Sequence, residues 1–257
     1  MIEELRLHRQ RPCLKILNKA DLADPEATMA WVRQYGDEKL VKAVALSCKK
    51  PGDVAKVARL AATLAPHRDS PLKPLRMLVM GVPNVGKSTL INALLKRKAA
   101  KTGDEPAITR HQSRFKLDEC TEVIDTPGLM SPSIKHASDG LMLAASHAIG
   151  PEAYIDEEVA TFLADVLLER YPGLLRTRYD LETAGMDGYG LISAIAKKRG
   201  YLFKGGKPHY EKAGLALVHD YRSGLLGRIS LETPQSRATM LRPSADGARP
   251  ADRTHGS

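Results

Sequence analysis

Residues 75–95 read LRMLVMGVPNVGKSTLINALL, and the reading of this stretch decides the fold. Leu75 to Met80 is a short, continuous apolar run of the kind that forms a buried parallel strand, and Leu90, Ile91, Leu94 and Leu95 recur at helical spacing. Between them, Gly81 to Ser88 fits the pattern GxxxxGK[ST]. A strand before it and a helix after it separate a phosphate loop from a chance match. Successive backbone amides and the helix N-terminus make a concave anion site, and glycine lets the backbone come close to the phosphates. Lys87 then faces the β- and γ-phosphates and the Ser88 hydroxyl is a magnesium ligand, with Asn84, Val85, Gly86 and Thr89 completing the phosphate-binding set.

Downstream, Thr121 to Ile124 is a further strand that ends in Asp125-Thr126-Pro127-Gly128. A DxxG match alone carries little weight, since a turn aspartate is its ordinary meaning. One strand beyond a phosphate loop, Asp125 becomes a candidate magnesium carboxylate and Gly128 a candidate amide donor to the γ-phosphate. A magnesium-ligating threonine is expected in the mobile-looking segment 96–112. Thr109, in Pro106-Ala107-Ile108-Thr109, is the better candidate, and Thr102 competes with it.

Upstream, Pro12 to Leu17 is a strand that stops at Asn18-Lys19-Ala20-Asp21. This is NKxD, in which an aspartate accepts from both N1–H and the exocyclic amine of guanine, a donor pair that adenine lacks. Asn18 ties loops together, and the Lys19 stem lies over the base face. Asp24 with Pro25 opens a helix that Gly36 closes, Leu40 to Leu46 is the next strand, and Ser47-Cys48-Lys49 after it resembles the SA[KL] loop, whose backbone amide reads guanine O6. Asn18, Lys19, Asp21, Ser47 and Cys48 form the guanine-binding set. A helix over 53–64 and a proline-rich connector over 66–74 lead into the phosphate half.

The chain of 257 residues has room for two domains. Residues 1–138 read as an α/β domain: base motifs in 1–65, linker 66–74, phosphate motifs in 75–138. Alternating strands and helices imply a mostly parallel sheet. Residues 139–232 read as all-helical, with helices over 141–149, 157–171 and 190–199 broken at Pro151 and Pro172. Short apolar stretches at 215–218 and 225–231 pack it back on the first domain. From Thr233 to Ser257, Pro, Ser, Arg and Gly without apolar periodicity read as a disordered tail.

With 43% hydrophobic and 27% charged residues and no apolar run of membrane-spanning length, the chain reads as soluble, without a membrane partner, and cytoplasmic. Cys13, Cys48 and Cys120 lack metal or disulfide spacing. The net charge of +9 favours phosphate-bearing partners.

The order of the motifs is NKAD, SCK, GVPNVGKST, PAIT, DTPG, with the base motifs first. In this order, and in the segments KTGDEPAIT and GVPNVGKSTLINALL, residues 1–232 resemble the circularly permuted TRAFAC GTPases of the YlqF/RbgA ribosome-biogenesis type. Permutation is tolerable because all these loops converge at the C-terminal edge of one sheet. The resemblance implies a P-loop NTPase that turns GTP into GDP and phosphate with magnesium and is slow without the ribosome. It further implies a helical RNA-contacting domain and a monomer acting on a late precursor of the large ribosomal subunit through rRNA. It also implies potassium near Asn84. The basic residues 96–98, 101, 110 and 114 and the cluster 197–199, 204 and 207 are the expected RNA contacts.

Two departures qualify this. Leu129 stands where Ras-like proteins place a water-orienting glutamine. The family's water-activating histidine belongs to a segment upstream of Met1, so no catalytic residue is assigned. The same upstream segment carries a helix and a strand between the phosphate-loop and NKAD strands. A central strand is therefore expected to be missing, as in an N-terminally truncated product. Two rival readings follow: a GTP-dependent ribosome-binding module with little hydrolysis, and a non-functional truncated paralogue. An ATP-dependent kinase is disfavoured by NKAD.

Overall fold

The structure is a computed structural model that describes residues 6–100, 113–130, 134, 136–150 and 153–241. Thr102, Thr109, Lys101 and Arg110 lie outside the described residues. The first half begins with β1 (Cys13–Leu17), paired in parallel with β2 (Val41–Ala45), Cys13 opposite Val41. The crossover between them is α1 (Pro25–Gly36). Its start is fixed by Asp24, whose carboxylate accepts from the amides of Glu26 at 2.8 Å and Ala27 at 3.2 Å, with Pro25 in the first turn. α2 (Pro51–Leu64) follows β2.

The phosphate half contains β3 (Leu75–Val79), α3 (Lys87–Leu95), β4 (Ser113–Lys116) and β5 (Thr121–Asp125). β3 and β5 are parallel, Leu75 opposite Thr121. β4, which the sequence reading left without structure, runs antiparallel to β5. Only four residues separate these two strands, too few for the crossover a parallel pair needs. The turn is closed by the Cys120 amide donating to the Asp118 carboxylate at 2.8 Å and the Leu117 amide to the Thr121 carbonyl at 2.9 Å.

The strands form two sheets, β1-β2 and β3-β5-β4. Among the described residues no ladder joins β1 to β3, so the division falls where the sequence reading expects a gap. The halves are held together on one face by a shared core: Leu46, just after β2, and Val54 and Val57 of α2 meet Leu90 and Leu94 of α3, with Leu14 and Ile16 of β1 against them. On the other face of β3, Leu78 is 50% and Met80 38% exposed.

The second half is helical: α4 (Ala137–Ala145), α5 (Asp156–Arg170), α6 (Pro172–Tyr179), α7 (Gly188–Lys198) and α8 (Tyr210–Ser223). α5 is central. Leu163 and Leu167 are fully buried together with Leu175 of α6, Leu191 and Ile195 of α7 and Leu217 of α8. Pro172, read as a break, opens α6, because the first helical position needs no amide hydrogen. The stretch 215–218 lies inside α8, so of the two apolar stretches only 225–231 reaches back to the first domain. Part of the expected tail is ordered: α9 (Pro234–Met240) starts on a reciprocal cap between Thr233 and Ser236. Arg237 of α9 pairs with Asp139. Residues 242–257 lie outside the described residues.

Among the described residues the helical core contains one buried carboxylate, Asp220, 2% exposed. It accepts from Arg178 Nε at 2.9 Å, Arg199 Nη2 at 2.8 Å and the Tyr179 hydroxyl at 3.0 Å. Burial pushes its pKa up, but these donors outweigh it and hold the carboxyl below the ordinary range. The stabilisation is complete above the unfolded carboxylate value and is lost as pH falls through the lower folded one. Asp220→Ala leaves two guanidinium groups without their anion and is expected to cost about 3 kcal/mol. Denaturant unfolding at pH 7 checks this, and the difference from the parent should shrink toward pH 3.

Candidate functional site

The ends of β1, β2, β3 and β5 carry the motifs to one edge. At the end of β1, Lys19 takes a left-handed conformation (φ 57), turning the chain so that the Leu22 amide closes on the Lys19 carbonyl at 2.8 Å. The Ala20 amide donates to the Leu46 carbonyl at 3.0 Å, which lays this loop against the end of β2. The two base loops are then joined twice through side chains. The Cys48 thiol donates to Asn18 Oδ1 at 3.3 Å, and Lys49 Nζ donates to Asp21 Oδ2 at 2.8 Å. The Lys49 ammonium, assisted by Ser47, holds the Asp21 carboxyl below its ordinary value, so it is an acceptor at neutral pH. Burial pushes the Cys48 thiol up, keeping it protonated. Ser47 is 2% exposed and its hydroxyl accepts from the Lys49 amide at 3.3 Å, shaping the loop. Lys49 is the partner of Asp21 that the sequence reading did not single out.

The phosphate loop packs directly on the base loop. Asn18 Nδ2 donates to the Val85 carbonyl at 2.9 Å. Gly86 is left-handed (φ 94), and a Cβ there would lie 2.4 Å from Asn18 Nδ2. Glycine is required by both the backbone angle and the neighbour. α3 begins at Lys87 with no side-chain cap, leaving the amides of Lys87, Ser88 and Thr89 at the mouth of the loop. Lys87 Nζ donates to the carbonyls of Gly81 at 3.0 Å and Val82 at 2.8 Å, bending over the loop. Burial lowers the Lys87 pKa and Asp125 opposes that fall, which places the two charges within each other's field.

Asp125, at the end of β5, is 1% exposed. After it, Thr126 Oγ1 donates to the Val79 carbonyl at 2.8 Å and the Leu129 amide donates to the Gly81 carbonyl at 3.0 Å. Gly128 lies against Pro83 of the phosphate loop, where a Cβ would be 2.8 Å from the ring. Asn84, also left-handed (φ 56), turns away from Asn18 and donates from Nδ2 to the His147 carbonyl at 2.7 Å. A hydroxyl from Ser88 and a carboxylate from Asp125 are hard oxygen donors of the type magnesium takes alongside phosphate oxygens and water. Among the described residues no group of three or more His, Cys, Asp or Glu gathers into a metal cluster.

The structure thus brings together Asn18, Lys19, Asp21, Ser47 and Cys48 on one side and Asn84, Val85, Gly86, Lys87, Ser88, Thr89, Asp125 and Gly128 on the other. Asn92 was overlooked by motif reading: its amide group holds the chain leading toward residue 101, accepting from the amides of Ala99 at 2.8 Å and Ala100 at 2.7 Å and donating to the Ala100 carbonyl at 2.8 Å. Its position on α3, one turn past the phosphate loop, was the available signal.

Comparison with known proteins agrees with this arrangement. Residues 76–180 match the family model described as 50S ribosome-binding GTPase. Ribosome biogenesis GTPase A of Bacillus cereus is 35% identical over 242 residues, covering 91% of this chain and 81% of that protein. Mitochondrial ribosome-associated GTPase 1 of Ictalurus punctatus is 32% identical over 249 residues, 86% of this chain and 77% of that one. The GDP-bound structure of T. maritima YlqF superposes with a TM-score of 0.59 at 24% identity, covering 86% of this chain and 83% of that one, and shares its fold. A phosphate loop pinned by the asparagine of a base motif that precedes it in the chain, and 35% identity across four-fifths of a curated relative, lead to one conclusion: the chain belongs to the ribosome biogenesis GTPase A family.

Proposed function

We propose that this protein binds GTP across the two loop sets and hydrolyses it while assisting late maturation of the large ribosomal subunit. One observation carries this reading: Asn18 and Gly86 are in contact, so the base-reading and phosphate-binding motifs, 63 residues apart from Asp21 to Asn84, meet at a single site. The names of the relatives, which act on ribosomes, supply the setting.

Asp21 accepts the two guanine donors, the loop 47–48 offers an amide to O6, and Lys19 covers the base. The amides of residues 84–89 and Lys87 hold the phosphates, and Gly128 reports the γ-phosphate through its contact with Pro83. Ser88 and Asp125 would hold magnesium, which when bound supplies charge to the β- and γ-oxygens; Thr109 would join them. Potassium near Asn84 would add charge there. Leu129, 40% exposed, has no polar group with which to orient water, which favours slow intrinsic turnover and supports the second reading, a ribosome-binding module with little hydrolysis of its own.

The helical domain offers a fitting RNA surface. Phe203 is 53% exposed and stacks on His209 at 4.2 Å between centroids, beside exposed Lys204 and Lys207 at the turn of a short hairpin, which follows exposed Lys197 and Lys198 in the chain. Aromatic faces among lysines suit unpaired bases and phosphates. No helix among the described residues is long and apolar enough to cross a membrane. We place the protein in the cytoplasm as a monomer.

Single-turnover hydrolysis of GTP, with and without large ribosomal subunits and in potassium or sodium salts, tests this. Slow release of phosphate, stimulated by subunits and faster in potassium, is expected. Tight GTP binding without release under any of these conditions selects the second reading, and equal rates in both salts remove the potassium site.

A further inference from the structure

We propose that Arg228 is a positioning residue for guanine recognition, through which the C-terminal segment of the helical domain sets how tightly and how selectively the chain holds the base. Arg228 Nη2 donates to the Ala20 carbonyl at 2.7 Å and Nε to the Ala23 carbonyl at 2.8 Å, one on each side of Asp21. The next amide, of Ile229, donates to the Leu22 carbonyl at 2.9 Å. Three of the four peptide carbonyls over residues 20–23 are therefore tied to a segment some two hundred residues away. Gly224, the left-handed cap of α8, sits against Leu22, where a Cβ would lie 2.7 Å from the side chain. Below this, the Tyr171 hydroxyl accepts from the Ser230 amide at 3.1 Å and donates to Asp24 Oδ2 at 2.8 Å, and Trp31 Nε1 donates to the Glu232 carbonyl at 3.3 Å.

The strap 224–232 is itself rigidly based. Leu226 and Ile229 are buried in the helical core. Arg222, just before it, donates to the carbonyls of Ala145 at 2.9 Å and Ala144 at 2.7 Å, the end of α4. Asp21, by contrast, is anchored by its own side chain chiefly to Lys49, whose side chain is 76% exposed, with Ser47 assisting. The aim of its carboxylate depends on the backbone around it, which Arg228 holds at the carbonyl just before Asp21 and again at the carbonyl two residues after it. The guanidinium is suited to this because its donors lie in one rigid plane, so it sets the separation of two carbonyls, which an ammonium cannot do. Whatever draws the strap off the loop loosens the base while the phosphate grip stays, the direction an exchange trigger requires.

This rests on the reading of Asp21 as the guanine acceptor, and the experiment separates the two. Inosine diphosphate lacks the exocyclic amine, so the ratio of inosine to guanosine diphosphate Kd reads the aim of Asp21 independently of the phosphate loop. In the full chain, Arg228→Ala is expected to weaken guanosine diphosphate about tenfold and inosine diphosphate less than about twofold, collapsing most of the preference. Arg228→Lys should restore less than half of it. Equal weakening of both nucleotides, with the ratio intact, means a merely structural contact and overturns the proposal. An unchanged ratio in Arg228→Gln does so equally, and that variant keeps one donor should the alanine variant fail to fold. If Asp21→Ala leaves the ratio unchanged, the base-site reading falls instead; if it abolishes the ratio while the Arg228 variants do not, only the strap is refuted.

Discussion

Asp21→Asn is expected to lower affinity for guanine nucleotides by about two to three orders of magnitude and to create affinity for xanthine nucleotides. The aspartate is ionised and held so by Lys49, so it offers acceptors only. Two hydrogen bonds from guanine to a charged acceptor contribute about 1.5–3 kcal/mol each. Asparagine presents one acceptor and one donor, so one guanine donor meets a donor in turn, and the buried mismatch adds to the loss. Xanthine carries an oxygen where guanine has its amine and accepts from that same amide. The Asn18 bond to Val85 and the Lys19 stem proposed to cover the base are untouched. Titration with labelled guanosine and xanthosine diphosphates checks both halves; guanosine affinity within a factor of two of the parent would show that this carboxylate does not read the base.

The second large effect is expected at Gly86. Gly86→Ala meets two independent obstacles. Its φ of 94 is a conformation that a Cβ disfavours by about 1–2 kcal/mol. The added carbon also lies 2.4 Å from Asn18 Nδ2, well inside contact, so the bond from Asn18 to Val85 must break or the loop must move. Either displaces the amides that open α3, and nucleotide affinity should fall at least 100-fold, with base and phosphate ends affected alike. The double variant Gly86→Ala with Asn18→Ala apportions the loss. Relief of the collision should recover part of it, while the backbone cost remains. Full recovery would mean that the angle is harmless; wild-type binding by the single variant would mean that the two loops are not packed as described.

The phosphate loop, the base motif and the strand-to-helix rhythm of the first half were legible because each rests on local chemistry. Gly81 to Ser88 must turn tightly between an apolar run and a helix, and Asp24-Pro25 can only begin one. α6 and α9 were not legible because proline was weighed as a breaker, when Pro172 and Pro234 each occupy a first turn. β4 was missed because Ser113–Lys116 alternates over only four residues, and its pairing is dictated by the turn at 117–120 rather than by its own composition. Arg228, the bond from Lys49 to Asp21 and the Asn84 contact with His147 lie beyond motif reading altogether. Each joins segments distant in sequence or uses a charge that composition would assign to a solvated surface. Within the candidate site, sequence named the groups expected to touch a nucleotide, and the structure supplied side chains placed to aim them.

The division of the sheet between β1 and β3 makes the ligand a structural member. The base loops hang from one pair of strands and the phosphate loop from the other three, so a nucleotide spanning both, as proposed, would crosslink two sheets that no ladder among the described residues unites. Folding and occupancy are then one linked equilibrium: nucleotide at a hundred times its Kd adds about 2.7 kcal/mol to the folded state, against total stabilities of 5–15 kcal/mol for ordinary domains. In a fold with a continuous sheet that increment is a bonus. Here it would add to the shared core and the Asn18 bond that hold the two halves together, and occupancy would become part of the protein's architecture.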